Sequence, residues 1–265
     1  MTHRVSPQTA VRLAELPTRA GSFHDDRPQA EAEFKQLREE LIDLQNVLYA
    51  QGTDKLLIVL QAMDAGGKDS TIRKVFRGVN PQGVRVTSFK APTKEELAHD
   101  FLWRIHQAVP ASGMIGVFNR SHYEDLLVSR VDRLVPEETW RARYKQINDF
   151  EELLTASGTR ILKFYLHISL DEQKERFQKR LDRPDKNWKF SSGDLAKRKD
   201  WDKYMEAFEE VFLRCSPNTA PWHIIPADQK WYRNLAISRV IVAAIREMDP
   251  QYPPGEEGLD QVTID

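Results

Sequence analysis

Hydrophobic positions along this chain follow two rhythms. Phe34, Leu37, Leu41, Leu44 and Leu48 recur at spacings of three and four, the apolar seam of a helix. Asp25 and Asp26 precede it as candidate caps, Pro28 suits its first turn and Gly52 its end. Lys55–Gln61 (KLLIVLQ) then runs apolar without alternation, as a strand buried on both faces of a parallel sheet would. Shorter runs at Val84–Ser88, Met114–Phe118, Ile161–His167 and Trp222–Ile225 predict four more strands. Helical patterns lie between them. Thr93 with Glu96 predicts a capping box opening a helix through Phe101 and Trp103, and Ser169 with Glu172 predicts a second box. Glu137–Ser157 reads as a helix stopped by Gly158. Asp194 is the expected cap of a helix reaching about Cys215, and Asp228 that of a last helix ending near Met248.

Such alternation predicts an α/β fold, a doubly wound parallel five-stranded sheet with helices on both faces. The expected organisation is an N-terminal extension over 1–29, one domain over 30–250 and a flexible tail rich in Pro, Gly and acid over 251–265. Ligands of these sheets sit at the carboxyl ends of the strands, so the residues after each strand are the first candidates for chemistry.

After the first strand the chain reads Ala62-Met-Asp-Ala-Gly-Gly-Lys-Asp-Ser-Thr71. Strand, glycine-bearing loop, lysine and helix make the layout of a phosphate-binding loop. Glycine lets the backbone approach a phosphate, and successive N–H groups at a helix start direct positive charge at it. Lys68 adds a full charge on a flexible stem. Ala62 stands where the usual motif has its first glycine, and Asp69 where it has a magnesium-binding hydroxyl. Asp64 lies inside the cradle, where a phosphate repels it unless a cation intervenes. Mg2+ held by a carboxylate and phosphate oxygens answers that need, and a turn-forming role is the alternative. Asp69 also suits a first helical turn by its charge alone.

The third strand is followed by Asn119-Arg-Ser-His-Tyr-Glu-Asp125. Asn119 occupies the strand-end position where phosphoryl-transfer enzymes often carry a magnesium-holding Asp. Arg120 can clamp phosphate oxygens with two donors, or else pair with Glu124 or Asp125. His122 titrates near neutral pH if it is exposed, and packs if it is not.

Charge sharpens this picture. The chain of 265 residues carries 39 Lys and Arg against 40 Asp and Glu, a net charge of -1, so any polyanion must be held by a local cluster. That cluster is Lys174–Lys199, with ten basic residues against four acids. Arg176 and Arg180, four apart, share a helix face. Pro184, Asn187 and Ser191-Ser-Gly193 then suggest a mobile stretch, the place of a lid that brings arginines to transferring phosphates. Trp188 and Phe190 among these charges also fit single-strand nucleic acid, but the phosphate loop accounts for the charges without it. Cys215 is the one cysteine, which excludes an intramolecular disulfide and a Cys-based metal site. No secretory pattern opens the chain, and no run nears the roughly 20 apolar residues of a membrane span. A soluble cytoplasmic protein, with no membrane or nucleic-acid partner, is expected.

Asp64-Ala-Gly-Gly-Lys-Asp69, Phe118-Asn-Arg-Ser-His-Tyr-Glu124, Arg176 with Arg180, Asn187-Trp-Lys-Phe190, Trp222-His-Ile-Ile-Pro226 and Phe101-Leu-Trp-Arg104 together resemble the polyphosphate kinase 2 family over about residues 30–250. The resemblance implies a P-loop kinase fold resembling nucleoside monophosphate kinases, with a helical lid at about 174–199. It implies Mg2+-dependent, reversible transfer of the terminal phosphate of polyphosphate to nucleoside mono- and diphosphates, the habit of the class III subgroup, in a homodimer or homotetramer. Asp64, Lys68, Arg120, Arg176 and Arg180 are then the catalytic candidates, with Asp64 at the metal. Ala65, Gly66, Gly67, Lys68, Asp69, Ser70, Arg73, Lys74, Lys186 and Lys189 are the phosphate-binding candidates. Asn119, Arg120, Ser121, His122 and Glu124 are the nucleotide-binding ones. Two other readings remain open: an ATP-dependent nucleoside monophosphate kinase, and a non-catalytic phosphate-binding protein.

Overall fold

The computed structural model describes residues 2–259 and 262–264. In chain order it places α1 at Arg27–Gln51, β1 at Lys55–Gln61, α2 at Lys68–Val75 and β2 at Val84–Ser88. Two short helices follow, α3 (Lys94–Leu97) and α4 (Trp103–His106), then β3 (Ile115–Asn119), α5 (Glu124–Val131) and α6 (Glu137–Ala156). The rest is β4 (Thr159–His167), α7 (Leu170–Leu181), α8 (Ser192–Lys199), α9 (Trp201–Arg214), β5 (Trp222–Pro226) and α10 (Lys230–Met248).

All five strands run parallel in the order β2-β3-β1-β4-β5. Crossovers place helices on both faces, which is why the inner strands β1 and β3 read as apolar runs. Within those runs the residues still alternate sides. Leu57, Val59, Phe118 and Tyr165 join one core with α5, α6 and α9. Leu56, Ile58, Leu60, Val117 and Phe164 join the other with α1, α2 and α10. The register sets Leu60 opposite both Asn119 and Phe164, so β1 and β3 end within a residue of each other and their following loops meet, while β4 runs on to His167.

The long helix behaves as its seam predicts. Asp26 caps it by accepting the Gln29 N–H at 2.9 Å, and Gly52 ends it at φ 70°. Leu41 and Leu48 are wholly buried against the domain's own core, and Arg239 and Arg246 of α10 pair with Glu33 and Glu40 of α1.

Elsewhere local expectation yields to tertiary partners. The Thr93–Glu96 box forms with both arms, but its helix stops after one turn. Asp100 accepts the Leu102 N–H at 2.9 Å and restarts the chain in a new direction as α4. Only half of the second box exists: Ser169 accepts from Glu172 N–H, while Glu172 turns to Arg176. Asp228 is no cap. Its carboxylate takes the Thr18 hydroxyl at 2.7 Å and the Ser169 N–H at 2.9 Å, and α10 starts after Gln229. Asp194 is no cap either, because Ser191 fills that place, and the expected single helix breaks at Asp200 into α8 and α9.

The polar first residues wrap the sheet edge. Arg4 bridges His223 antiparallel; Val5 N–H donates to Trp222 C=O at 2.8 Å and Ile224 N–H to His3 C=O at 2.9 Å. Val5 and Leu13 are buried there. In the expected tail, 251–265, residues Asp260, Gln261 and Asp265 lie outside the described residues, and the others are exposed. Among the described residues no helix is long and apolar enough to cross a membrane.

Candidate active site

Between β1 and α2 the loop is shaped by backbone that ordinary residues avoid. Ala65 adopts φ 61° and Gly67 φ 105°, both left-handed. Gly66 needs to be glycine for a different reason: a Cβ there would fall 2.4 Å from the Ala62 Cβ and 2.8 Å from the Met63 carbonyl. Ala62, in the first motif glycine's place, thus packs directly against Gly66. The first helical bond of α2 is Thr71 N–H to Gly67 C=O, which leaves the Lys68, Asp69 and Ser70 amides without helical acceptors. These are the donors a phosphate would meet.

The loop's carbonyls are held from outside by α7. Gln173 Nε2 donates to Asp64 C=O at 2.9 Å, and Arg176 Nη1 donates to Ala65 and Gly66 C=O, both at 2.9 Å. Arg176 also donates through Nη2 to Ala227 and Asp228 C=O and through Nε to Glu172. All five of its N–H donors are engaged. Arg176, expected among the catalytic residues, is thus bound here to the carbonyls of the loop and of the residues after β5.

Lys68 folds over the loop, its Nζ 3.0 Å from Ala62 C=O. Burial, with the Arg120 charge adding, pulls its pKa down to about 8. Arg120 leaves β3 at φ 63°, with its N–H on Leu60 C=O at 3.1 Å. That conformation swings its guanidinium to Asp64 Oδ1 at 2.9 Å and Glu124 Oε2 at 3.3 Å, so the structural pairing foreseen for Arg120 occurs at the site itself. Glu124, then Asp64, hold its pKa above the usual range. With the Gln61 amide turned to accept from Ser121, its NH2 donates to Glu124 Oε1 at 2.9 Å and fixes that carboxylate. Asn119 donates to Asp69 Oδ1 at 2.7 Å, and Lys189 Nζ lies 3.7 Å from Asp69 Oδ2. Asp64, Lys68, Asp69, Asn119, Arg120, Glu124 and Lys189 therefore converge.

Arg180 lies over the Phe177 ring and pairs at 3.3 Å with Asp194 of α8, a carboxylate raised in pKa by burial and then by Asp64. Arg73, Lys74 and Lys189 are exposed, Ser70 and Lys186 half-buried. Ser121 and His122 do not reach the site surface. Both are fully buried, and His122 Nε2 sits 3.2 Å from Glu151 in a network with Tyr123 and Lys163. Three further neighbours were not among the named site candidates. A small pocket beside Asp64 is lined by Lys197 of α8 and Tyr204 of α9, and Arg233 of α10 stands behind Gly67. Only the oddity of an arginine opening an apolar helix marks the latter. Among the described residues no three His, Cys, Asp or Glu side chains gather as a metal cluster.

A family model described as Polyphosphate kinase 2 matches residues 24–253. This chain belongs to the polyphosphate kinase 2 family. It is 49% identical over 264 residues to a Meiothermus ruber protein named AMP/ADP-polyphosphate phosphotransferase, with 99% of each chain covered. It is 43% identical over 262 residues to a Rhodopseudomonas palustris protein named ADP-polyphosphate phosphotransferase, covering 94% of this chain and 91% of that one. The crystal structure of polyphosphate kinase 2 from Arthrobacter aurescens TC1 superposes with a TM-score of 0.94 at 41% identity, covering 98% of this chain and 93% of that one. In this polyphosphate kinase 2 family member the loop amides, Lys68 and Arg120 form one face of the site and the Arg180–Lys197 segment the other. Such an arrangement binds tetrahedral anions and offsets charge that moves between them.

Proposed function

We propose that this protein moves the terminal phosphoryl group of polyphosphate to nucleoside mono- and diphosphates, carrying AMP to ADP and ADP to ATP, and runs the same steps in reverse. The observation that carries this is the convergence of a brace-held phosphate loop, Lys68 and Arg120 at the level ends of β1 and β3. The names of the Meiothermus ruber and Rhodopseudomonas palustris relatives supply the substrate pair, and the first also supplies AMP.

The chemistry asks for positioning and charge neutralisation more than for covalent participation. A nucleotide phosphate oxygen attacks the terminal phosphorus of the chain. The bond from that phosphorus to the bridging oxygen breaks, and the shortened polyphosphate leaves with the electron pair. The Lys68, Asp69 and Ser70 amides and Lys68 Nζ bind donor phosphates. Arg120 bridges the reacting groups, with Asp64 and Glu124 fixing its guanidinium. Arg180 swings from Asp194 onto the transferring phosphate when the segment at 174–199 closes as a lid. Arg176 is assigned to loop positioning. Arg73, Lys74, Lys186 and Lys189 line the path of the polyphosphate chain. A carboxylate inside a phosphate cradle suits Mg2+, which takes one or two carboxylates and keeps phosphate and water oxygens. Asp64 would hold it, and it would supply further neutralisation of phosphate charge.

The test mixes protein, Mg2+ and labelled AMP or ADP with polyphosphate or ATP, and follows products by chromatography. Polyphosphate alone converting AMP to ADP and then ATP is the expected result. ADP without ATP removes the diphosphate step. Turnover with ATP only makes this a nucleoside monophosphate kinase, and no turnover with any donor leaves a phosphate-binding protein.

A further inference from the structure

Behind the phosphate loop stands a cation that none of these roles uses. Arg233 lies in the first turn of α10 and is 1% exposed. Its Nε and Nη2 both donate to Asn234 Oδ1, at 3.2 and 2.8 Å. Its Nη1 is buried without a hydrogen-bond partner. That nitrogen is aimed at the loop: a Cβ on Gly67 would fall 2.3 Å from it and 3.4 Å from Arg176 Nη1. Gly67 therefore serves two needs, its left-handed backbone and the close approach of two guanidinium groups.

Of the other buried cations here, Arg176 pairs with Glu172 and Lys163 with Glu151, and Lys68 donates to the Ala62 carbonyl. Among the described residues no carboxylate pairs with Arg233. Burial, then the Arg176 charge, lowers its pKa to about 9, and Lys230 close by is lowered by burial and by the same two arginines. An unpaired buried charge is costly, and this one is held where an anion arrives. The amides of Lys68, Asp69 and Ser70 lie directly after Gly67.

We propose that Arg233 is a positioning residue for the phosphate chain, its charge uncompensated in the free protein and balanced across Gly67 by phosphate bound in the loop. This rests on the phosphate-transfer reading above, and it adds a cost in the free state that binding relieves. Binding energy of the donor is thereby built into the fold rather than into the surface of the site.

The full-length protein and three variants test it, Arg233→Met, Arg233→Lys and Asn234→Asp. Each is measured for melting temperature alone and with tripolyphosphate or ATP, and for KM and kcat toward donor and acceptor. Arg233→Met should melt no lower than wild type when free, lose most of the ligand-induced shift and raise the donor KM about ten- to a hundredfold. Its kcat and acceptor KM should change far less. Arg233→Lys should recover most donor affinity. Asn234→Asp keeps the arginine but gives it a countercharge, so the free protein should melt higher and bind donor more weakly. An unchanged donor KM in Arg233→Met overturns the proposal, as does Arg233→Lys failing as badly as Met. If Arg233→Met does not fold, Asn234→Asp decides by the same two readouts. Wild type that binds ATP but ignores tripolyphosphate, with Arg233→Met losing ATP, refutes the polyphosphate reading and upholds this one. Wild type that binds neither refutes both.

Discussion

Lys68 is asked to be charged in a place that disfavours charge. Burial and Arg120 bring its pKa to about 8, and a bound phosphate chain returns the proton. For the free enzyme, kcat/KM toward polyphosphate should stay level below pH about 8 and fall toward tenfold per unit above it. The kcat profile, reporting the bound state, should hold to higher pH. Stability should move the other way. Between about 8 and the ordinary 10.5 the unfolded chain binds more protons at Lys68 than the folded one, so without ligand this group raises stability as pH climbs. Stopped assays and denaturant titrations across that window separate the two. A second outcome at this scale concerns Gly66→Ala. Its new methyl meets the Ala62 Cβ and the Met63 backbone, neither free to yield, so unfolding should become about 1–3 kcal/mol easier by urea titration. Gly66, Gly67 and Lys68 were readable in the sequence because the constraint on each is local. Arg233 was not, since its meaning depends on a glycine 166 positions earlier in the chain.

On α7 the spacing of Arg176 and Arg180 places both on one helix face, yet they do different work. One bonds four backbone carbonyls, and the other rests on Phe177 beside Asp194. Arg176→Ala should strand those carbonyls and cost more than about 3 kcal/mol, a fall in Tm of roughly 6 °C or more. Arg180→Ala should leave Tm within about 2 °C and lower kcat on the order of 10³-fold. Calorimetry and initial rates on both variants check the division, and equal Tm losses would refute it. Helix periodicity can say which residues share a face. It cannot say which of two arginines is held by the loop's carbonyls and which rests on a ring beside Asp194. The inner strands β1 and β3 were legible because burial on both faces keeps them apolar, whereas the edge strand β2 is largely exposed and carries Arg85 and Thr87. Asp194 and Asp228 read as caps because nothing in the local sequence names Arg180, Thr18 or Ser169 as stronger partners.

Across the whole molecule the site's rigidity rests on a second buried network. Lys163 of β4 donates to Glu151 of α6, to the Tyr123 hydroxyl and to the Cys215 carbonyl, all beneath the loop that follows β3. Removing one charge should expose the cost of the other. Glu151→Gln is expected to lose about 3–5 kcal/mol, visible as a Tm lower by roughly 6 °C or more with enzyme activity retained below the transition.

The bridge at the sheet edge carries a consequence in time. His3 and Ile224 share a backbone hydrogen bond although about 220 residues separate them. At about 5–20 residues per second a ribosome needs roughly 10–45 s to travel from one to the other. His3 and Val5 must wait, unpaired, for β5 to leave the exit tunnel. Until then β4 has no partner on its outer side, and the nascent chain holds an open edge that a chaperone or a neighbouring polysome could take. Closure of this edge thus waits on β5, and the segment that covers it is already made when that strand emerges.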